Sequence, residues 1–170
     1  MKDFLSLPQP IHSDSFIYQN RFIIDELNYD KIEMSEMHCS LFQSLTPEQV
    51  KVYENIMTAV LSEVGGFFFL YGFGGTRKTF MWKTFSTEIR SKELIVFNVS
   101  GIASLLLPRG KTAHSTFCIP LLINEESTYN IPQGSPRAKL LIETKLIIWD
   151  EAPMINMLCF EALDRTLRMS

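Results

Sequence analysis

The stretch GFGGTRKTF, Gly72 to Phe80, constrains this chain more than any other. It follows Phe67-Phe68-Phe69-Leu70-Tyr71, a continuous apolar run of the kind found in strands buried on both faces. It precedes a segment, Lys78 to about Arg90, that reads as a helix. Seven of its first eight residues fit G-x-x-x-x-G-K-[ST], a loop whose backbone N–H groups wrap a phosphate while glycines permit the close approach. In such a loop the lysine, here Lys78, reaches the β- and γ-phosphates, and the next hydroxyl, Thr79, coordinates magnesium. Gly72, Gly74 and Gly75 shape the loop, with Thr76 between them and the misfit. That misfit is Arg77, which stands where the motif has its second fixed glycine.

Upstream, LTPEQVKVYENIMTAVLSEVGG predicts a helix. Thr46 caps it, Pro47 suits the first turn, and Gln49 completes a T-x-x-Q capping box. Val50, Tyr53, Ile56, Met57, Val60 and Leu61 then fall on one face, and Gly65-Gly66 closes the segment. Residues 1–44 are polar and mixed, and read as an N-terminal extension or incomplete helical segment leading into a core that begins at residue 45. Downstream, Leu94–Val99 is a second buried-type strand, followed by a turn and a short helix stopped at Pro108. RGKTAHSTFCIPLL reads as a loop with a short helical start, and Asn124 to Pro136 as a surface loop. RAKLLIET is a helix feeding a third strand, Lys145 to Asp150, and the last stretch is helical up to Arg168. Strands alternating with helices mean an α/β fold with a parallel sheet.

A content of 46% hydrophobic and 21% charged residues is that of an ordinary globular protein. No apolar run reaches the roughly 18 residues of a membrane span, so no membrane partner is expected. The N-terminus has no continuous apolar core of a secretory signal. Cys39, Cys118 and Cys159 are odd in number and far apart, which suits reduced thiols inside the cell. The net charge of −3 hides an uneven distribution. Residues 1–66 carry four Lys/Arg against ten Asp/Glu, whereas residues 67–118 carry seven against two. A basic middle around a phosphate loop suits phosphate-bearing ligands; on charge alone an unevenly charged solvated surface reads equally well.

A second motif, LIIWDEAP, places Asp150 and Glu151 at the carboxyl end of a buried strand. There a carboxylate can hold magnesium and a neighbouring glutamate can orient the attacking water. A strand-ending Asp-Glu pair can also complement a helix dipole, but beside a phosphate loop the catalytic reading wins. Lys111, Thr112, His114 and Ser115 read either as contacts to a nucleic-acid backbone or as an exposed helix start, since both use the same residue types. Phe117 is the nearest aromatic that could stack on a base.

These segments together resemble the PIF-type (petite integration frequency) DNA helicases, in particular the plant and Helitron-transposon branch. The residues that carry the resemblance are LTPEQVKVY, FFFLYGFGGTRKTFMWKT, SGIASLLLPRGKTAHSTFCIP and TKLIIWDEAPMINMLCFEALDRTLR. The resemblance implies an incomplete RecA-like P-loop NTPase domain with a parallel sheet, spanning residues 45–170. It implies a superfamily-one enzyme that couples ATP hydrolysis, with magnesium, to 5′-to-3′ unwinding of DNA. Single-stranded DNA or DNA forks would be its partners, and repair, recombination and telomere maintenance its setting, in the nucleus or the mitochondrion. By position it gives Gln49 to adenine contact, the alternative to its capping role. Gly72, Gly74, Gly75, Thr76, Arg77, Lys78 and Thr79 fall to nucleotide binding, Thr79 and Asp150 to the metal, and Lys78, Asp150 and Glu151 to catalysis. Ser100 to Ala103 and Thr112 to Phe117 would lie near the DNA path.

Three departures stand out. Arg77 replaces a glycine, and its Cβ disfavours any glycine-only backbone geometry there. The segment Ser100-Gly101-Ile102-Ala103-Ser104 is two residues shorter than the family's A-S-S-G-I-A-S. The chain also ends soon after Asp150-Glu151, before the later strand, second domain and arginine finger of such enzymes. The expectation is therefore a truncated chain, either a helicase fragment or a remnant that binds nucleotide or DNA weakly.

Overall fold

The structure is a computed structural model, and it describes residues 20–72, 76–100 and 110–169. Its centre is a parallel sheet of β1 (Ile95–Ser100), β2 (Lys111–Thr112) and β3 (Thr144–Trp149), in the order β2-β1-β3. β1 pairs with β3 from Ile95↔Thr144 to Val99↔Trp149, with an irregularity between Ile95 and Val96, and with β2 at Val99↔Lys111 and Ser100↔Thr112. All six residues of β1 are buried, as befits the middle strand of a covered parallel sheet.

Alternation along β1 builds two cores. Ile95, Phe97 and Val99 face one side, where they pack with Phe117, Tyr129, Leu140, Leu141 and Cys159. Val96 faces the other, with Tyr53, Ile56, Met57, Met81, Phe85, Ile89 and, from β3, Ile148. Successive residues of a strand point to opposite faces, so helices cover both. α3 (Pro47–Leu61) and α4 (Lys78–Ser91) supply the second core. α5 (Ala113–Phe117), α6 (Pro136–Glu143) and α7 (Met157–Met169), which follows a 3-10 turn at Ala152–Met154, lie around the first.

The expected helices that fall on described residues are present. Thr46 and Gln49 close a reciprocal capping box at α3, and Tyr53, Ile56 and Met57 of its apolar face are buried. Leu61, on the same face, is instead about half exposed, and the helix ends there, before Gly65-Gly66. The segment before residue 44 forms α1 (Arg21–Leu27) and α2 (Lys31–Gln43). α2 lies along α4, and Phe42, Tyr53 and Phe85 connect the two through ring contacts of 5.1 and 5.3 Å.

Two expectations fail. Phe67 to Tyr71 is not a strand: no ladder partner takes it up among the described residues, and Phe67, Phe69 and Tyr71 are largely exposed. A strand exists through its neighbour's N–H and C=O groups, and among the described residues β3 pairs only with β1. Only Leu70 of the run packs against the second core. Phe117 does not present a stacking face either. It is fully buried between Tyr129 (5.9 Å), Trp149 (5.4 Å) and Phe97 (6.3 Å). The surface loop after Asn124 likewise hides one residue: Tyr129 is buried, and its hydroxyl donates to the Cys159 carbonyl at 2.6 Å. The turn and short helix expected up to Pro108 lie outside the described residues.

Candidate functional site

Phe67-Phe68-Phe69-Leu70-Tyr71 leads into Gly72, and α4 starts at Lys78, so the loop joins an extended segment to a helix N-terminus. The first N–H groups of any helix lack internal acceptors and carry the positive end of its dipole. Gly72 has a steric reason to be glycine: a Cβ there would stand 2.6 Å from Thr76 Oγ1. Gly72 and the Thr76 side chain are therefore in close contact. Gly74 and Gly75 lie outside the described residues.

Arg77 adopts φ +59° and ψ 32°, the left-handed region that a glycine takes freely and an L-residue does not. The backbone there is one that glycine adopts at lower cost, with an arginine in it. The side chain folds outward. Its guanidinium lies 4.1 Å from the Phe80 ring centroid and donates to the Ser44 carbonyl at 3.3 Å. Lys78, half-buried, turns back to donate to the Gly72 carbonyl at 2.5 Å. Thr79 is half-buried on the first turn of α4.

Gln49 fills the capping role and also reaches the loop. Its Oε1 accepts from the Thr46 amide at 3.0 Å, and its Nε2 donates to the Thr76 carbonyl at 3.4 Å. The capping box therefore ties α3 to the phosphate-loop candidate. Gln49, Thr76 and Lys78 line one open cleft of about 210 Å³, together with Leu70, Tyr71 and Met81. The last three were not legible as site residues. Leu70 and Tyr71 belonged to an expected strand, and Met81 is found only by noting that it follows Lys78 by three on a helix.

Asp150 and Glu151 stand where β3 ends. The Asp150 amide donates to the Val99 carbonyl at 2.8 Å and so extends the ladder with β1 by one step. Asp150 Oδ1 accepts the Glu151 amide at 3.1 Å, which orients that carboxylate. Glu151 turns into the left-handed region (φ +56°), and its Oε2 accepts from the Ser100 hydroxyl at 3.1 Å. A non-glycine residue held at positive φ is a costly conformation that surrounding structure must maintain.

Of the residues expected near nucleic acid, Lys111, Thr112, His114 and Ser115 are exposed, whereas Ala113, Thr116 and Phe117 are buried. Thr112 caps α5 by accepting from the Ser115 amide. Lys111 forms an ion pair with Glu26 of α1. Gly101 to Ala103 lie outside the described residues.

The chemistry of the donors suits magnesium: Thr79 and Asp150 offer oxygen, the ligand type that ion takes alongside phosphates and water. No cluster of three or more His, Cys, Asp or Glu side chains able to hold a metal by itself occurs among the described residues. None of their helices is long and apolar enough to cross a membrane.

No curated protein matches the chain. The family model of PIF1-like helicases matches residues 44–169. That span runs from the α3 cap, through the loop at Gly72–Thr79 and the Asp150-Glu151 pair, to α7. The mixed fold with its small three-stranded parallel sheet is that of an incomplete RecA-like domain. The chain belongs to the PIF1-like helicase family.

Proposed function

We propose that this chain binds magnesium-ATP in the cleft between α3 and the N-terminus of α4, and that hydrolysis there serves 5′-to-3′ movement on single-stranded DNA. The observation that carries the reading is the convergence of Gln49, Thr76 and Lys78 on one cleft at a helix N-terminus. The Gln49 amide meets the base edge there, and Lys78 exchanges the Gly72 carbonyl for the β- and γ-phosphates. Thr79 and Asp150 would hold magnesium, which supplies charge neutralisation between the phosphates when bound. Glu151 accepts a proton from the attacking water and aligns it. Repair, recombination and telomere maintenance, in the nucleus or mitochondrion, are the cellular setting this reading proposes.

A second reading, nucleotide or strand binding without unwinding, is favoured by Arg77. Its strained backbone sits where the loop should flex around phosphate. Titration calorimetry with magnesium-ATP, alongside turnover with and without single-stranded DNA, tests both. The first reading requires binding that Lys78→Ala removes and turnover that the strand stimulates. Binding without turnover selects the second, and no nucleotide binding in either protein rejects the first and leaves only strand binding of the second.

A further inference from the structure

We infer that Ser100 is a positioning residue for Glu151, and that it connects the nucleic-acid side of the sheet to the carboxylate that handles water. The inference rests on the hydrolytic reading of Glu151 above. Three observations support it, each independent of that reading. The Ser100 hydroxyl donates to Glu151 Oε2 at 3.1 Å, and Ser100 is fully buried. Glu151 is held at φ +56°, so its carboxylate is aimed by a strained backbone and not by a regular strand or helix. On its other side, Ser100 pairs in register with Thr112 of β2, the residue that caps α5 and precedes the exposed His114 and Ser115.

Ser100 is thus the last residue of the central strand, between the two strand ends that carry the chemistry. β2 ends at Thr112, beside the exposed His114 and Ser115, and β3 ends at Asp150-Glu151. Alternation puts the Ser100 side chain on the same face of β1 as Val96, the face covered by α4. A hydroxyl donating to Oε2 takes one of the carboxylate's acceptor sites and holds the side chain toward β1. While that bond stands, Glu151 keeps this orientation. A strand bound at Lys111–Ser115 pulls on Thr112, shifts the end of β1 through the shared ladder, and frees the carboxylate. Strand binding and hydrolysis are then linked through a single serine.

Carboxyl-carbon NMR of the full chain labelled at glutamate tests this at fixed pH, with Glu151→Gln identifying the Glu151 resonance. Adding an oligothymidylate is expected to move that resonance in the parent. In Ser100→Ala it should already stand at the strand-bound position, and the strand should cause no further movement. Ser100→Thr, which keeps a hydroxyl, is expected to restore the strand-induced movement. A Glu151 resonance unchanged by Ser100→Ala, or one that the strand moves equally in both proteins, overturns the inference. So does an oligothymidylate that leaves the parent's resonance in place. Turnover by Glu151→Gln addresses a different question. Hydrolysis at the parent's rate would remove Glu151 from the chemistry, whereas the resonance alone decides the positioning.

Discussion

Arg77 combines a position that a glycine would fill without cost with a side chain that has found other work, over Phe80 and on the Ser44 carbonyl. Holding an L-residue in the left-handed region costs on the order of 1–2 kcal/mol, and the outward contacts favour the arrangement in which Lys78 rests on Gly72. Arg77→Gly is therefore expected to tighten magnesium-ATP binding at least about tenfold, or about 1.4 kcal/mol. Calorimetry giving one affinity for both proteins would clear Arg77 of blame. The carboxylates at the end of β3 should separate in the same assay. Asp150→Asn is expected to abolish the magnesium dependence of nucleotide binding. Glu151→Gln should leave binding intact and remove only hydrolysis. Equal weakening by both changes would favour a purely electrostatic role for the pair.

Among the elements, α3 matters for more than its apolar face, because its cap and its link to the loop are one residue apart in function. Removing the cap by Thr46→Ala should cost about 1 kcal/mol of stability, measured by urea denaturation. It should also weaken nucleotide binding through Gln49, whose amide reaches Thr76. An effect on stability alone would show that the link from Gln49 to Thr76 is passive. Two buried tyrosines make a further element-scale test. Burial holds the hydroxyl of Tyr53 on α3 well above the ordinary tyrosine range, with Glu88 adding to the effect. Burial does the same to Tyr129 in the loop before α6, with Cys159 adding to the effect. Above a pH of about 10 the unfolded chain releases these protons while the folded chain keeps them. The stability they contribute is then present below that pH and lost as pH rises above it. Tyr53→Phe/Tyr129→Phe should flatten the alkaline decline in stability, and an unchanged slope would assign it to other groups.

At the scale of the whole molecule, the run Phe67–Tyr71 is largely exposed and joins no sheet among the described residues. Unwinding needs two bodies that move against each other around the nucleotide. The described residues supply one sheet with its helices. A protein made of residues 1–170 alone is therefore expected to bind single strands without separating a forked duplex. Its exposed contacts are few, since Phe117 is in the core and Lys111 pairs with Glu26. Few phosphate contacts mean weak affinity and a shallow dependence of log affinity on log salt. Fluorescence anisotropy across a salt series measures that slope, and a forked-duplex assay measures separation. ATP-dependent unwinding by this chain would refute the two-body requirement.

Most of the architecture could be read from local signals. T-x-x-Q with Pro47 set the start of α3, and the period of apolar residues set its buried face. The runs at Leu94–Val99 and Lys145–Asp150 set the two paired strands within a residue or so. The loop pattern with its following helix, and the strand-ending Asp-Glu, were each legible because the residues within each motif lie within a few positions of one another. What the sequence could not decide depended on partners far along the chain. FFFLY reads as a buried strand only if a neighbour supplies a ladder, and hydrophobicity does not reveal whether one is there. Phe117 read as a stacking residue until Tyr129 and Trp149 closed around it. The pairing of Ser100 with Glu151 spans 51 positions and exists only because β1 and β3 end side by side. Local chemistry named the groups; the parallel sheet decided which of them meet.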